Sequence, residues 1–200
     1  MLRFSSLVGA LLVAGTLSAQ AATVTLFDDS FVADSAGVAG FKTVTELTNW
    51  NVTKGNVDIL GTAYGCTGCI DLDGTRSSAP ASLATKQVFN FLSGVTYTFS
   101  LFFSGGSEQE YVSVGVSGFA KSVLAGKGPS IFSTTYTGAG LASSLFVLAG
   151  GPVNNRGPYL DRVTITYEDV PAPVPLPAAA PLLLAALGGL GLFSRRRRRG

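Results

Sequence analysis

From Val95 to Phe103 the chain reads Val-Thr-Tyr-Thr-Phe-Ser-Leu-Phe-Phe, with apolar side chains recurring at every second position. Side chains of an extended strand alternate between two faces, so Val95, Tyr97, Phe99, Leu101 and Phe103 line one side. Tyr159 to Tyr167 repeats the pattern, with Val163, Ile165 and Tyr167 facing inward. Further runs read as strands: Ala22–Phe27, Trp50–Thr53, Val57–Leu60, Ala84–Phe91, Tyr111–Val116, Phe119–Leu124, Ile131–Thr137 and Ser143–Leu148. Turn-forming clusters such as Ser104-Gly105-Gly106-Ser107 and Gly150-Gly151-Pro152 separate them. No stretch between them carries a 3.6-residue period. About ten short, closely spaced strands predict an all-β domain, and a two-sheet jelly-roll β-sandwich suits that number.

The two ends follow different rules. Arg3 precedes an apolar run from Leu7 to Leu17, and Ala19-Gln20-Ala21 forms a small-x-small cleavage site. This is a signal peptide over residues 1–21, with a signal helix too short to span a membrane. At the other end, four prolines fall between Val170 and Pro177, an apolar run reaches Phe193, and Arg195–Arg199 follow. The apolar run is at the short end of what crosses a bilayer core of ~30 Å, and clustered arginines stay cytoplasmic. The expected organisation is a β-sandwich domain over 22–170, a Pro-rich linker over 171–177, a transmembrane helix over 178–193 and an Arg-rich tail over 194–200. The order of hinge, apolar run and basic tail resembles the PEP-CTERM class of bacterial sorting signals. Val174, Pro175, Leu176, Pro177 and Ala178 match its VPLPA variant. The resemblance implies export through the inner membrane, recognition by an exosortase-type sorting enzyme, and a destination in the cell envelope, at the surface or outside the cell.

Charge must be counted without these ends. The whole chain carries +2, but Arg3 and Arg195–Arg199 supply six of its fourteen basic residues. The domain therefore holds eight basic and twelve acidic residues, a net charge of −4. That balance argues against nucleic acid as a partner. The chain contains no histidine, which excludes Ser-His-Asp and Cys-His catalysis and histidine-ligated zinc.

A series of short words runs through the domain: Asp29-Ser30-Phe31, Trp50-Asn51-Val52, Gly55-Asn56-Val57-Asp58, Ile70-Asp71-Leu72-Asp73-Gly74, Gly94-Val95-Thr96-Tyr97 and Gly157-Pro158-Tyr159-Leu160-Asp161-Arg162-Val163. Their order resembles the choice-of-anchor domains, which are similar to galactose-binding-like jelly rolls. The closing words depart from that family's usual pattern in carrying Arg162 in place of asparagine. The resemblance implies one structural calcium shared by the first loop and the last strand, here Asp29 and Asp161 with Asp28 nearby. Two carboxylates and backbone carbonyls could supply the oxygens such a hard cation requires.

Other candidates come from the residues themselves. Cys66 and Cys69 form a C-x-x-C in an exported β domain, where a local disulfide is the expected state and a thioredoxin-type role the alternative. A loop that short removes little unfolded-state entropy. Asp71-x-Asp73-Gly74 reads either as a fragment of a calcium loop or as a strand-end turn. Trp50 reads as core or as a sugar-stacking platform. Tyr64, Arg76, Asn154, Asn155, Arg156 and Tyr159 fall in predicted loops and suit a ligand rich in hydroxyls. The carboxylate pairs Glu108/Glu110 and Asp71/Asp73 raise glycoside hydrolysis. The expected function is a non-catalytic module that binds carbohydrate or extracellular polysaccharide. A purely structural surface or matrix protein is the alternative and a polysaccharide hydrolase the third reading.

Overall fold

In a computed structural model, residues 21–105, 110–126, 128–169 and 186–187 are described. The signal peptide, the sorting motif, the membrane segment and the basic tail lie outside the described residues, apart from Ala21 and positions 186–187. Thr23–Asp169 form one compact unit. Its strands are β1 Ala22–Asp29, β2 Phe41–Val44, β3 Trp50–Lys54, β4 Val57–Leu60, β5 Cys69–Asp71, β6 Ser82–Thr85, β7 Phe89–Phe91, β8 Thr96–Gly105, β9 Tyr111–Val116, β10 Phe119–Leu124, β11 Gly128–Thr137, β12 Leu141–Ser143, β13 Phe146–Gly150 and β14 Tyr159–Asp169. One helical turn, α1 Val32–Ser35, and a 3-10 turn, Thr62–Tyr64, interrupt them.

The large sheet runs β11-β8-β14-β5-β4-β2, with β1 also paired to β14. The second sheet runs β10-β9-β13-β6-β3, and β12 pairs with β7 in a small ribbon. The alternation of β8 survives in three dimensions: Tyr97, Phe99, Leu101 and Phe103 are buried. Val163 and Ile165 of β14 join them from the neighbouring strand. Val112, Val114, Val147 and Leu83 of the second sheet belong to the same apolar cluster, so one core is shared by both sheets. Each such side chain contributes roughly 1.5–3 kcal/mol relative to exposure. Trp50 lies in this core, fully buried, with its ring edge-on to Phe27 at 5.6 Å.

Several expected elements change shape. Ala84–Phe91, expected as one strand, divides into β6 and β7. At the corner, Thr85 Oγ1 donates to the Gln87 carbonyl (2.8 Å) and accepts from the Leu145 amide (3.0 Å). Ser143–Leu148 divides in step, because β12 follows β7 into the ribbon while β13 remains with β6. Val95 precedes β8 and is only partly buried, and Tyr167 is likewise partly buried. β2, β5 and both short turns are additions to the expected set.

Candidate functional site

The turn after β5 and the loop before β14 are joined by buried carboxylates. Asp71 Oδ1 accepts the amides of Asp73 (2.8 Å) and Gly157 (2.7 Å). Asp73 Oδ2 accepts the amides of Asn154 (2.7 Å) and Asn155 (2.8 Å). Asn155 Oδ1 returns the contact by accepting the Arg76 amide at 2.8 Å. The approach is close enough to require glycine at 157, where a Cβ would collide with the Asp73 amide. Asp58 braces the same turn from β4, its Oδ2 accepting the Thr75 amide and hydroxyl at 2.9 and 2.6 Å. Asp71-x-Asp73-Gly74 forms the turn after β5, and Asp71 Oδ1 and Asp73 Oδ2 accept backbone amides.

This bracing holds unusual backbone in place. Arg76 (φ 62) and Asn155 (φ 60) both occupy the left-handed region, and they are hydrogen-bonded to each other. That conformation is costly for a side chain like arginine's and persists only where its surroundings over-determine it. Asp73 Oδ1 and Asn56 Oδ1 are buried beside this turn without a hydrogen-bond partner. Burial pushes the Asp71 carboxyl up to about 7; its two amide donors oppose the rise, and the charges of Asp58 and Asp73 reinforce it. Burial also raises the Tyr159 hydroxyl, followed by the Asp71 charge.

The residues singled out for binding gather around this scaffold. Arg76, Asn154, Asn155 and Arg156 are exposed, and Tyr159 is half-buried. Arg156 and Tyr64 both act electrostatically on Tyr159, which places them at the same end of the domain. Tyr64 is 52% exposed and meets the equally open Phe41 edge-on, ring centroids 6.3 Å apart. Phe41 was missed by sequence reasoning: Phe41-Lys42-Thr43-Val44 does not alternate apolar and polar residues, so β2 carries no period-two signal. The assembly offers an aromatic surface, guanidinium and amide donors, and no nucleophile paired with a base.

The remaining candidates lie elsewhere or are occupied. Cys66 and Cys69 form the expected disulfide. Asp29 is buried, and its carboxylate accepts the Phe31 amide (2.9 Å), Asn49 Nδ2 (3.2 Å) and Trp50 Nε1 (2.8 Å). Trp50 therefore serves the core and anchors Asp29; it is not a platform for sugar. Asp161 is the extra residue of a β-bulge, since Leu160 pairs with Phe103 and Arg162 with Phe102. Its Oδ1 lies 4.0 Å from Cys66 Sγ, and burial raises its carboxyl. Arg162 ion-pairs with Asp28 through both Nε (2.6 Å) and Nη2, and its guanidinium lies 5.8 Å from the Phe102 ring centroid. That bond holds the Asp28 carboxyl below the usual range. Of the carboxylate pairs, Asp71 and Asp73 are buried, as is Glu110, and Glu108 lies outside the described residues.

No family model matches the sequence, and no curated protein matches it. Solved structures of similar fold include BiXyn10A CBM1 in its apo form (16% identity, 71% of this chain, 97% of that chain, TM-score 0.45). The carbohydrate-binding module CBM6cm-2 of Cellvibrio mixtus lichenase 5A, solved with cellotriose, is another (12% identity, 71% and 97%, TM-score 0.39). A third is a CBM35 from Paenibacillus barcinonensis (13% identity, 62% and 97%, TM-score 0.39).

Proposed function

We propose that this chain is an exported, non-catalytic β-sandwich of jelly-roll, galactose-binding-like type that binds carbohydrate through the loop end bearing Tyr64, Arg156 and Tyr159. The observation that carries the reading is the rigid presentation of that loop. Buried Asp71 and Asp73 fix four amides between Asp73 and Gly157, leaving Asn154, Asn155 and Arg156 exposed beside an aromatic surface. A pyranose offers hydroxyls to amide and guanidinium groups and an apolar C–H face to an aromatic ring. Pre-positioned donors lower the ordering cost of binding.

The test is a glycan array with the mature exported protein, followed by calorimetry on the best ligand. Arg156→Ala and Tyr64→Ala should each weaken binding by about tenfold or more, the scale of a contact at the centre of a site, without lowering the melting temperature. Binding that survives both changes would move the site elsewhere. An array without any hit would leave a structural surface or matrix role.

The ends complete the proposal. Cleavage after Ala21 would release the exported chain, and Val174–Ala178 would be read by an exosortase while the apolar segment holds the chain in the membrane. A structural calcium at Asp29 and Asp161 is the further proposal that the resemblance carries.

A further inference from the structure

The disulfide loop is built asymmetrically. Cys69 begins β5 and is only 2% exposed, whereas Cys66 is partly exposed. Between them, Thr67 lines two neighbouring cavities of about 510 and 420 Å³. Gly68 (φ +88) packs where a Cβ would collide with the Ser30 carbonyl and lie 2.7 Å from Val32, which docks the loop against the start of α1. Cys66 is thus the more exposed half of the pair, next to Thr67 at the edge of this space, while Cys69 is held by the sheet.

Two energetic features follow. A disulfide closing a four-residue loop removes little entropy from the unfolded chain, so its reduction costs the fold little. Second, Asp161 Oδ1 lies 4.0 Å from Cys66 Sγ, and all three potential ligand atoms of Cys66, Cys69 and Asp161 fall within 4.8 Å of one another. A disulfide sulfur has no proton to donate. The Cys66 thiol does, and it would find its acceptor already placed by the bulge in β14. The contact therefore favours the dithiol over the disulfide.

From this arrangement we propose that Cys66–Cys69 is a redox-active disulfide that oxidises dithiols of polypeptide partners, with Asp161 setting its poise. A partner thiolate attacks the accessible Cys66 Sγ, a Cys66–partner disulfide forms, and the Cys66–Cys69 bond breaks with its electron pair on Cys69. The partner's second thiolate then attacks its own sulfur in that mixed disulfide and releases Cys66 as a thiolate. The protons lost by the two partner thiols pass through solvent to Cys66 and Cys69. The partner gains a disulfide, and the domain becomes a dithiol. This activity is independent of carbohydrate binding.

The experiment uses the mature protein purified from the envelope, incubated with a reduced dithiol peptide, then alkylated and weighed by mass spectrometry. One peptide disulfide should form per domain, the melting temperature of the reduced domain should remain close to that of the oxidised one, and a peptide with a single thiol should be caught on Cys66 as a mixed disulfide once the released Cys69 thiol is alkylated. In glutathione buffers, Asp161→Ala should make the disulfide harder to reduce by about threefold, the scale of one modest hydrogen bond. Asp161→Asn serves the same comparison where alanine lowers the melt. A purely structural disulfide would resist the dithiol peptide unless the domain unfolds and would carry no single-thiol peptide on Cys66, and either result overturns the proposal. An unchanged equilibrium in both Asp161 variants would refute its role in setting the poise.

Discussion

Replacing Asp71 by asparagine should stabilise this domain at neutral and mildly alkaline pH. The carboxyl is buried and lifted from 3.8 to about 7 by desolvation, with Asp58 and Asp73 adding to the rise. A folded state that holds a proton more tightly than the unfolded chain loses stability as pH rises between the two values. The contribution is intact below 3.8 and lost by the time pH has passed about 7. At ~1.36 kcal/mol for each unit of separation, the full loss is at most about 4 kcal/mol, and about 3 kcal/mol of it falls between pH 5 and pH 8. The chain has no histidine, so no imidazole titrates in that window to mask the effect. The carboxamide of Asp71→Asn would keep an oxygen for the Asp73 and Gly157 amides. Thermal melts at pH 5 and pH 8 provide the assay. Wild-type protein should melt several degrees lower at pH 8, at ~2–4 °C per kcal/mol for this size. Asp71→Asn should flatten the difference by raising the pH 8 melt. A wild-type melt independent of pH across this range, or a variant less stable than wild type at pH 8, would refute the argument.

Asp29→Ala should cost about 1–3 kcal/mol in denaturant unfolding, because it leaves Trp50 Nε1 and the Phe31 amide buried without their acceptor. Trp50→Phe in the same background should recover part of that loss. Cys66→Ser with Cys69→Ser should lower the melt only modestly, given the short loop. A chelator should lower the melt by several degrees relative to millimolar calcium, and an unchanged melt would refute the calcium reading at Asp29 and Asp161. Replacing Val174–Ala178 with glycine and serine should preserve signal cleavage but strand the protein in the inner membrane, as followed by cell fractionation.

How legible the domain was depended on the range of the interactions involved. Val57–Leu60, Tyr111–Val116 and Phe119–Leu124 coincide with observed strands because alternation and flanking turns are local. The corners at Thr85 and Ser143 were invisible, since a chain that changes sheets can keep its apolar pattern through the bend. Asp71-x-Asp73-Gly74 could be read as a turn, but not as the support of residues 154–157, about eighty positions away. Asp29 shows in the sequence as a carboxylate, whereas the N–H donors it accepts from, two of them about twenty positions away, do not. Arg162 departs from the pattern the resemblance suggested, and its reason lies on the adjacent strand, in the pairing with Asp28.

The placement of buried carboxylates bears on what the domain does. Asp58, Asp71 and Asp73 all lie in or just after β4 and β5, each nearly inaccessible to solvent. Stability alone does not account for them, because well-packed apolar side chains would avoid the cost of burying charge. Their contacts are directional: Asp58 orders the turn at Thr75, Asp73 fixes two successive amides, and Asp71 ties Gly157 to the sheet. These bonds end on the backbone of the exposed segments that carry Arg76, Asn154, Asn155 and Arg156. A connecting loop needs no such definition, whereas a recognition loop gains from it, since each donor fixed beforehand need not be ordered by the ligand. The raised Asp71 carboxyl is the energetic trace of that arrangement. It follows that Asp71→Asn, which removes the charge but keeps the acceptor, should leave ligand affinity intact, while Asp73→Ala should loosen residues 154–155 and weaken binding without removing any group that touches the sugar.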